Sequence, residues 1–439
     1  MERPPSMPIR IIKDNNESAV VIRVRENLNQ LLLDTPAVEA EGLSIYKIPH
    51  FMRQVQPKAL FEPQLVSFGP YHHGESHLFR MELEKRKAFK NFQTRYGLPV
   101  EPIVERVWSM LEDVQGCYDE LEGEWKLEDG AAKFLQLMVL DGCFMLEVLL
   151  ADSGGWLSNM REDIVRDMLL LENQLPMKLL EELHSMANHS YLKNVKSLVC
   201  DFMGIPDKVE DKLKVEYLHI LEMYMDTLLL PKVVSQGRQK GRSKEAAKEL
   251  DSEIQIIWPA TRLHEAGIRF RRSQSKSITD VWFDEKRGVL KLPKMVVDDD
   301  TESTFLNVMA FEKLHKEAGS KVTCFILLMN NLIDVDQDVA LLASNKIILN
   351  ALGNDQDAAE LFGRLAQGAA LDLKSDSHIT HVQEMVIEHC KKRRHKWCAS
   401  LKHNYFQHPW AIVSLIAAAL GFVILILQAV YQICDYYRG

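Results

Sequence analysis

The spacing of apolar residues changes character twice along the chain. From Met81 they recur at three- and four-residue steps over Met81 to Tyr96, Val104 to Leu121, Ala131 to Leu150, Arg161 to His184 and Val209 to Leu230. That repeat lines one face of an α-helix, so five helices are predicted. Asn173, Gln174 and Pro176 interrupt the fourth, and the proline should kink or end it. After the charged, proline-poor stretch Ser235 to Glu253, read as a linker or surface loop, the period shortens. Ser277 to Phe283 and Gly288 to Val297, joined by the turn-rich DEKR, predict a small β-hairpin with Pro293 at an edge or strand end. Helical spacing then returns over Thr304 to His315, Val322 to Leu332, Val335 to Asn350, Asp355 to Leu365 and Ile379 to Tyr405. Asp298, Asp299 and Asp300 sit where the positive end of a helix starting at Thr301 would favour them.

The pattern disappears at both ends. Residues 1–41 are polar and weakly patterned, with room for one helix at Ala19 to Leu33, and read as a flexible lead-in. Between Ser44 and Gly74, Pro49, Pro57, Pro63 and Pro70 forbid a long helix and favour extended segments and turns. At the other end, Trp410 to Ile433 carries no charged residue. As one helix it would cross a ~30 Å hydrocarbon layer at ~1.5 Å per residue, so a single membrane span is predicted. The helix Lys133 to Leu150 is nearly as apolar, but Asp141 and Glu147 make it an interior helix instead of a second span.

The expected fold class is mainly α: a compact helical body over 42–375 with a minor β-hairpin, an amphipathic juxtamembrane helix over 376–408, a transmembrane helix over 410–433 and a short tail over 434–439. Lys391, Lys392, Arg393, Arg394 and Lys396 lie before the predicted span, against Arg438 alone beyond it. That imbalance predicts a body facing the cytosol, and anionic headgroups are the natural partner of the basic run. No signal-like apolar core opens the sequence, so the layout predicts a tail-anchored protein of the plasma membrane or an endomembrane.

Composition narrows the partners. The chain has 439 residues, 46% of them hydrophobic, enough for one large or two smaller cores. A formal charge of −9 argues against nucleic acid. Seven scattered cysteines, with no CxxC pair, fit a reducing compartment. No GxSxG, Walker, HExxH or dinucleotide-binding motif occurs, so no standard nucleotide or hydrolase site is signalled.

Candidate chemistry gathers in two places. His72 and His73 follow a Gly-Pro-Tyr turn with His50 upstream, but adjacent side chains of an extended segment diverge, so a shared metal is not expected. Asp141, Glu147, Asp167 and Glu172 lie on apolar stretches, where buried carboxylates need partners whether or not they catalyse. The expected reading is a structural polar cluster of Tyr71, His72, Asp141, Glu147, Asp167, Glu172 and Asn173, with basic residues such as Arg80 and Arg166 fixing the proline-rich segment to the helices. The alternative is an acid–base site built from the four carboxylates and His72.

FEPQLVSFGPYHHG, DGCFMLEVLL, LLENQLP, AGIRF, GVLKLP, TFLNVMAFEKLH, NNLIDVDQDVALLASNKIILNALGND and HPWAIVSL occur in that order. Together they resemble the plant proteins that share domain of unknown function 247, also grouped as uncharacterised protein family 0481, over residues 42–430. Phe61 stands where the family pattern has tyrosine, and His408 where it has asparagine. The resemblance implies a plant membrane protein whose grass relatives include self-incompatibility determinants. The expected function is therefore a membrane-anchored interaction or recognition module, in signalling or self-incompatibility-type recognition, with an unidentified protein partner, no cofactor and no catalysis. A membrane-tethered enzyme using Asp141, Glu147, Asp167, Glu172 and His72 is the alternative.

Overall fold

The first half is assembled around one buried helix. The computed structural model describes residues 42–121, 123–126, 128–151, 159–187, 193–230, 257–275, 277–368, 377–391 and 409–436. Helices α1 (His50–Val55), α2 (Phe79–Tyr96), α3 (Val100–Trp108) and α4 (Leu111–Gly116) precede the central α5 (Glu128–Leu149). Phe134, Leu137, Met138, Cys143, Phe144, Leu146 and Val148 of α5 are all buried, which is why this helix is apolar nearly all round. It packs against α2, α3, α7 (Met177–Met186) and α8 (Val195–Met203). A Cβ on Gly142 would lie 2.3 Å from Leu183 Cδ1, so glycine there lets α5 and α7 approach closely.

Three predicted helices are broken. The expected Arg161 to His184 helix is instead α6 (Arg161–Met168) and α7, separated by a loop buried throughout, 169–176. The break falls well before Pro176 because the Gln174 and Asn173 side chains take up carbonyls that a continuing helix would use. Gln174 Nε2 donates to Met168 O at 2.6 Å and Leu170 O at 2.7 Å, and Asn173 Nδ2 to Asp167 O at 2.9 Å. The expected Val104 to Leu121 helix is likewise divided into α3 and α4. Short α9 (Asp207–Glu210) and α10 (Ile220–Leu229) replace the single helix expected over Val209 to Leu230.

The second half begins with α11 (Ala260–Glu265) and strands β1 (Arg269–Arg272), β2 (Trp282–Asp284), β3 (Val289–Leu292) and β4 (Met295–Val297). The predicted hairpin is present: β2 and β3 pair antiparallel, with Phe283 opposite Leu290. It is larger than expected, because β1 joins β3 in parallel and makes a three-stranded sheet. Helices α12 (Thr301–Leu314), α13 (Lys321–Leu332), α14 (Asp336–Ser344), α15 (Asp355–Gly368) and α16 (Ser377–Lys391) follow. The helix expected over Val335 to Asn350 stops at Ser344. Lys346 adopts a left-handed conformation, φ +59°, and Ile348–Asn350 becomes β5, parallel to β4. At the start of α12, Thr301 Oγ1 donates to Asp298 Oδ1 at 2.6 Å.

Residues from both sides of the 231–256 segment bond directly. Asn307 of α12 accepts from Leu171 N at 2.9 Å and donates to Leu60 O at 3.0 Å, and Tyr46 OH lies 2.9 Å from His315 Nδ1. The predicted linker 235–253 and residues 1–41 lie outside the described residues.

The predicted membrane span is overturned. A helix, α17 (Pro409–Tyr436), covers this region. Among the described residues, no helix is long and apolar enough to cross a membrane. The tail-anchored, single-pass layout, the plasma-membrane or endomembrane assignment and the cytosolic orientation deduced from it fall with that span. Lys391 ends α16 as an exposed residue, while Lys392, Arg393, Arg394 and Lys396 lie outside the described residues.

Candidate functional site

The proline-rich stretch is held in place by side chains from the helical core. Asp167 accepts from Gln64 N at 3.0 Å through Oδ1, and from Leu65 N at 2.7 Å and Val66 N at 2.9 Å through Oδ2. Asn173 accepts from Phe68 N at 2.6 Å and donates to Val66 O at 3.0 Å. Asp141 Oδ2 accepts from Gly69 N at 2.8 Å. Arg166 donates to Ala59 O at 2.6 Å and to Asp167 Oδ1 at 2.8 Å. Prolines prevent this segment from satisfying its own backbone as a helix, so buried amides find acceptors on α5, α6 and the 169–176 loop. Gly69 adopts φ +77°, and a Cβ there would meet Gln174 O and Tyr118 OH at 3.0 Å, so the close approach to Asp141 requires glycine.

Lys85 supplies the cation that sequence reading assigned to Arg80. It is fully buried, 2.7 Å from Asp141 Oδ1, 2.5 Å from Glu82 Oε1 and 3.2 Å from Ser67 Oγ. Arg80 is exposed. Burial, the largest influence, raises the Asp141 carboxyl above its ordinary range; Lys85 and Gly69 N–H oppose this, and Glu82 adds to it. Asp167 is also raised, by burial first, against its three backbone donors and Arg166. Glu147 stands apart from these groups, paired with Arg95 at 3.2 Å and raised by burial despite that partner.

Glu172 and His72 instead border a cleft of about 430 Å³. Glu172 Oε1 accepts from Ile48 N at 2.6 Å and Oε2 from Arg53. His72 Nδ1 lies 2.7 Å from Glu75 Oε1, and Nε2 lies 3.5 Å from Glu172 Oε2, too long for a good hydrogen bond. Burial is the strongest influence on both. It is outweighed at His72 by the two glutamates, which raise the imidazole, and at Glu172 by His72, Arg53 and Ile48 N–H, which lower the carboxyl. Lys47, Tyr71, His73 and Trp125 complete the working walls. Lys47 Nζ lies 5.5 Å from the Tyr71 ring centroid, and the His73 and Trp125 rings meet edge-on at 6.0 Å. Tyr71 OH donates to Asp119 O, so its hydroxyl is committed to the backbone.

The seven residues of the expected polar cluster therefore fall into three settings. Asp141, Asp167 and Asn173 hold the 64–69 backbone, Tyr71, His72 and Glu172 face the cleft, and Glu147 lies elsewhere. His72 and His73 diverge, toward Glu75 and Glu172 and toward Glu82 and Trp125 respectively. Among the described residues, no group of His, Cys, Asp or Glu could hold a metal ion. Sequence reading missed Lys85, Arg53, Glu75 and Trp125. Lys85 alone left a clear signal, since it shares the inward stripe of α2 with Met81, Ala88 and Phe92.

A helical body that clamps a proline-rich segment beside an open cleft is the class of protein defined here. The chain belongs to the plant protein family of unknown function DUF247, whose model matches residues 45–424. It is similar to UPF0481 protein At3g47200 of Arabidopsis thaliana, 28% identical over 90% of this chain and 87% of the relative. It also matches Putative UPF0481 protein At3g02645 of the same plant, 22% identical over 94% of each chain. No solved structure matches.

Proposed function

We propose that this chain is a non-catalytic binding module whose cleft recognises a protein partner, in signalling or in recognition of the self-incompatibility type. The observation that carries the reading is the division among the carboxylates. Asp141 and Asp167 are buried completely and occupied by backbone amides and cations, so they position chain instead of meeting a substrate. The cleft retains fixed charges and aromatic faces, which suit docking of a partner's side chains.

The test compares proximity labelling in plant cells by the wild-type chain and Lys47→Glu, with thermal unfolding of both measured alongside. Loss of a defined subset of labelled proteins at an unchanged Tm is expected. An identical labelled set would overturn the cleft as the recognition site. One observation favours an enzyme at the same place: His72 and Glu172 meet at the cleft wall. A His72→Gln variant that keeps its stability and loses a measurable turnover would promote that reading.

A further inference from the structure

The three-stranded sheet carries a second feature, away from the cleft residues, that the binding-module reading does not use. On one face Phe270, Leu290 and Phe283 stand in register and are buried. Strand alternation turns their neighbours to the opposite face, where register aligns Arg271, Lys291 and Trp282 across the three strands. Arg271 is exposed, Trp282 is 41% exposed, and Lys291 Nζ lies 4.1 Å from the Trp282 ring centroid.

This rung places two cations side by side on strands about 4.8 Å apart, an arrangement that is unfavourable unless something compensates it. Among the described residues, neither Arg271 nor Lys291 has a carboxylate partner. The acid on the adjacent rung, Asp284, is already engaged, accepting from Arg287 N at 3.1 Å with Arg287 Nε 3.9 Å away. Arg269, on that same rung, adds a further exposed cation. The local excess of positive charge opposes the chain's net charge of −9.

We infer that the rung Arg271–Lys291–Trp282 is a docking face for an acidic segment of a partner protein, with carboxylates on the two cations and an apolar group on the indole. A carboxylate between Arg271 and Lys291 would relieve their repulsion and match the planar guanidinium fork. The adjoining indole face would be covered by an apolar side chain beside that carboxylate. The same numbers select a short acidic peptide over a nucleic acid. A patch about 10 Å wide reaches few phosphates, whereas tight nucleic-acid binding draws on roughly 6–10 such contacts. A long polyanion would also feel the chain's overall negative field, while a short peptide senses mainly charges within a screening length of ~8 Å.

The experiment uses the full chain and two fluorescent probes, a short glutamate-rich peptide containing one leucine and a single-stranded oligonucleotide of similar length. Saturable peptide binding that weakens with salt is expected, reduced by about tenfold or more in Lys291→Glu and in Trp282→Ala. Lys291→Glu should at the same time leave the Tm close to wild type, because the acid that then faces Arg271 offsets the lost contact with the Trp282 ring; a sheet that needed Lys291 only for folding would lose stability instead. Peptide binding that is absent in wild type, or equal in wild type and both variants, overturns the inference. So does tighter binding of the oligonucleotide than of the peptide at the same rung.

Discussion

Asp167 and Glu172 belong to one buried stretch of chain and titrate in opposite directions. Asp167 faces the 64–66 backbone, where three N–H dipoles and Arg166 fail to offset burial, so its carboxyl is raised. Glu172 looks into the cleft, where Arg53 and His72 are both available and the carboxyl is lowered. Burial is the largest influence on each, and the number of charged partners within reach sets the net direction. The dry group works as a clamp, whereas the cleft group stays poised as a charge. A carboxylate in an apolar stretch is therefore not by itself a sign of catalysis.

The clamp is where substitution should cost most. Asp167→Ala leaves the buried amide of Val66, the half-buried amide of Leu65 and the Arg166 guanidinium without their acceptor, and should lower stability by about 3–5 kcal/mol in chemical denaturation. A cost no larger than that of an ordinary surface substitution would remove the distinction between clamp and cleft. Asp141→Asn should cost less, about 1–3 kcal/mol, because Lys85 keeps Glu82 as a partner. Lys85→Met in the same background should recover part of that loss, since an apolar side chain removes the uncompensated buried charge. Strict additivity of the two substitutions would show that the pair is not coupled. Glu172→Gln should cost about 1 kcal/mol, as Arg53 is partly exposed and can turn to water.

The two regions were unequally legible in the sequence. Apolar periodicity located α2, α5, α12, α13 and α15 closely, because each buries a continuous stripe and the signal is local. It marked the break between α6 and α7 at Asn173, Gln174 and Pro176 but placed the helix end too late, because side-chain bonds from Asn173 and Gln174 defeat a strong apolar run from Leu169 onward. It also missed β5, whose strand conformation depends on pairing with β4 far away in sequence. Asp167 and Arg166 could be recognised as a buried charge pair, but the receivers of Asp167, the amides of 64–66, have no side-chain signature. The partner of Asp141 was readable and was overlooked: a lysine in the Met81, Ala88, Phe92 stripe must enter the core. The cleft was not legible, since α1, the 70–75 turn, Trp125 and Glu172 meet only through long-range contacts.

The smallest expected effect is a pH dependence, and it separates the cleft from the clamp most cleanly. His72 is raised above its ordinary 6.5 because Glu172 and Glu75 outweigh the opposing effect of burial. A raised imidazole contributes stability that is complete below 6.5 and is lost as pH rises through the folded value. Glu172 is lowered from 4.5, so its contribution is complete above 4.5 and is lost as pH falls through its folded value. Between those limits both are present; the alkaline flank belongs to His72 and the acid flank to Glu172. The other ionisable groups facing His72 across the cleft are Arg53, Lys47, Glu62 and His73, and their presence in both wild type and variant cancels from the comparison. Melting temperatures measured from about pH 3 to about pH 9 should fall on the alkaline side in wild type and fall less in His72→Gln, while the acid flank shrinks but persists because Arg53 and Ile48 N–H still lower Glu172. Equal alkaline slopes in the two proteins would mean that His72 is neutral across the range and that its glutamates leave it uncharged.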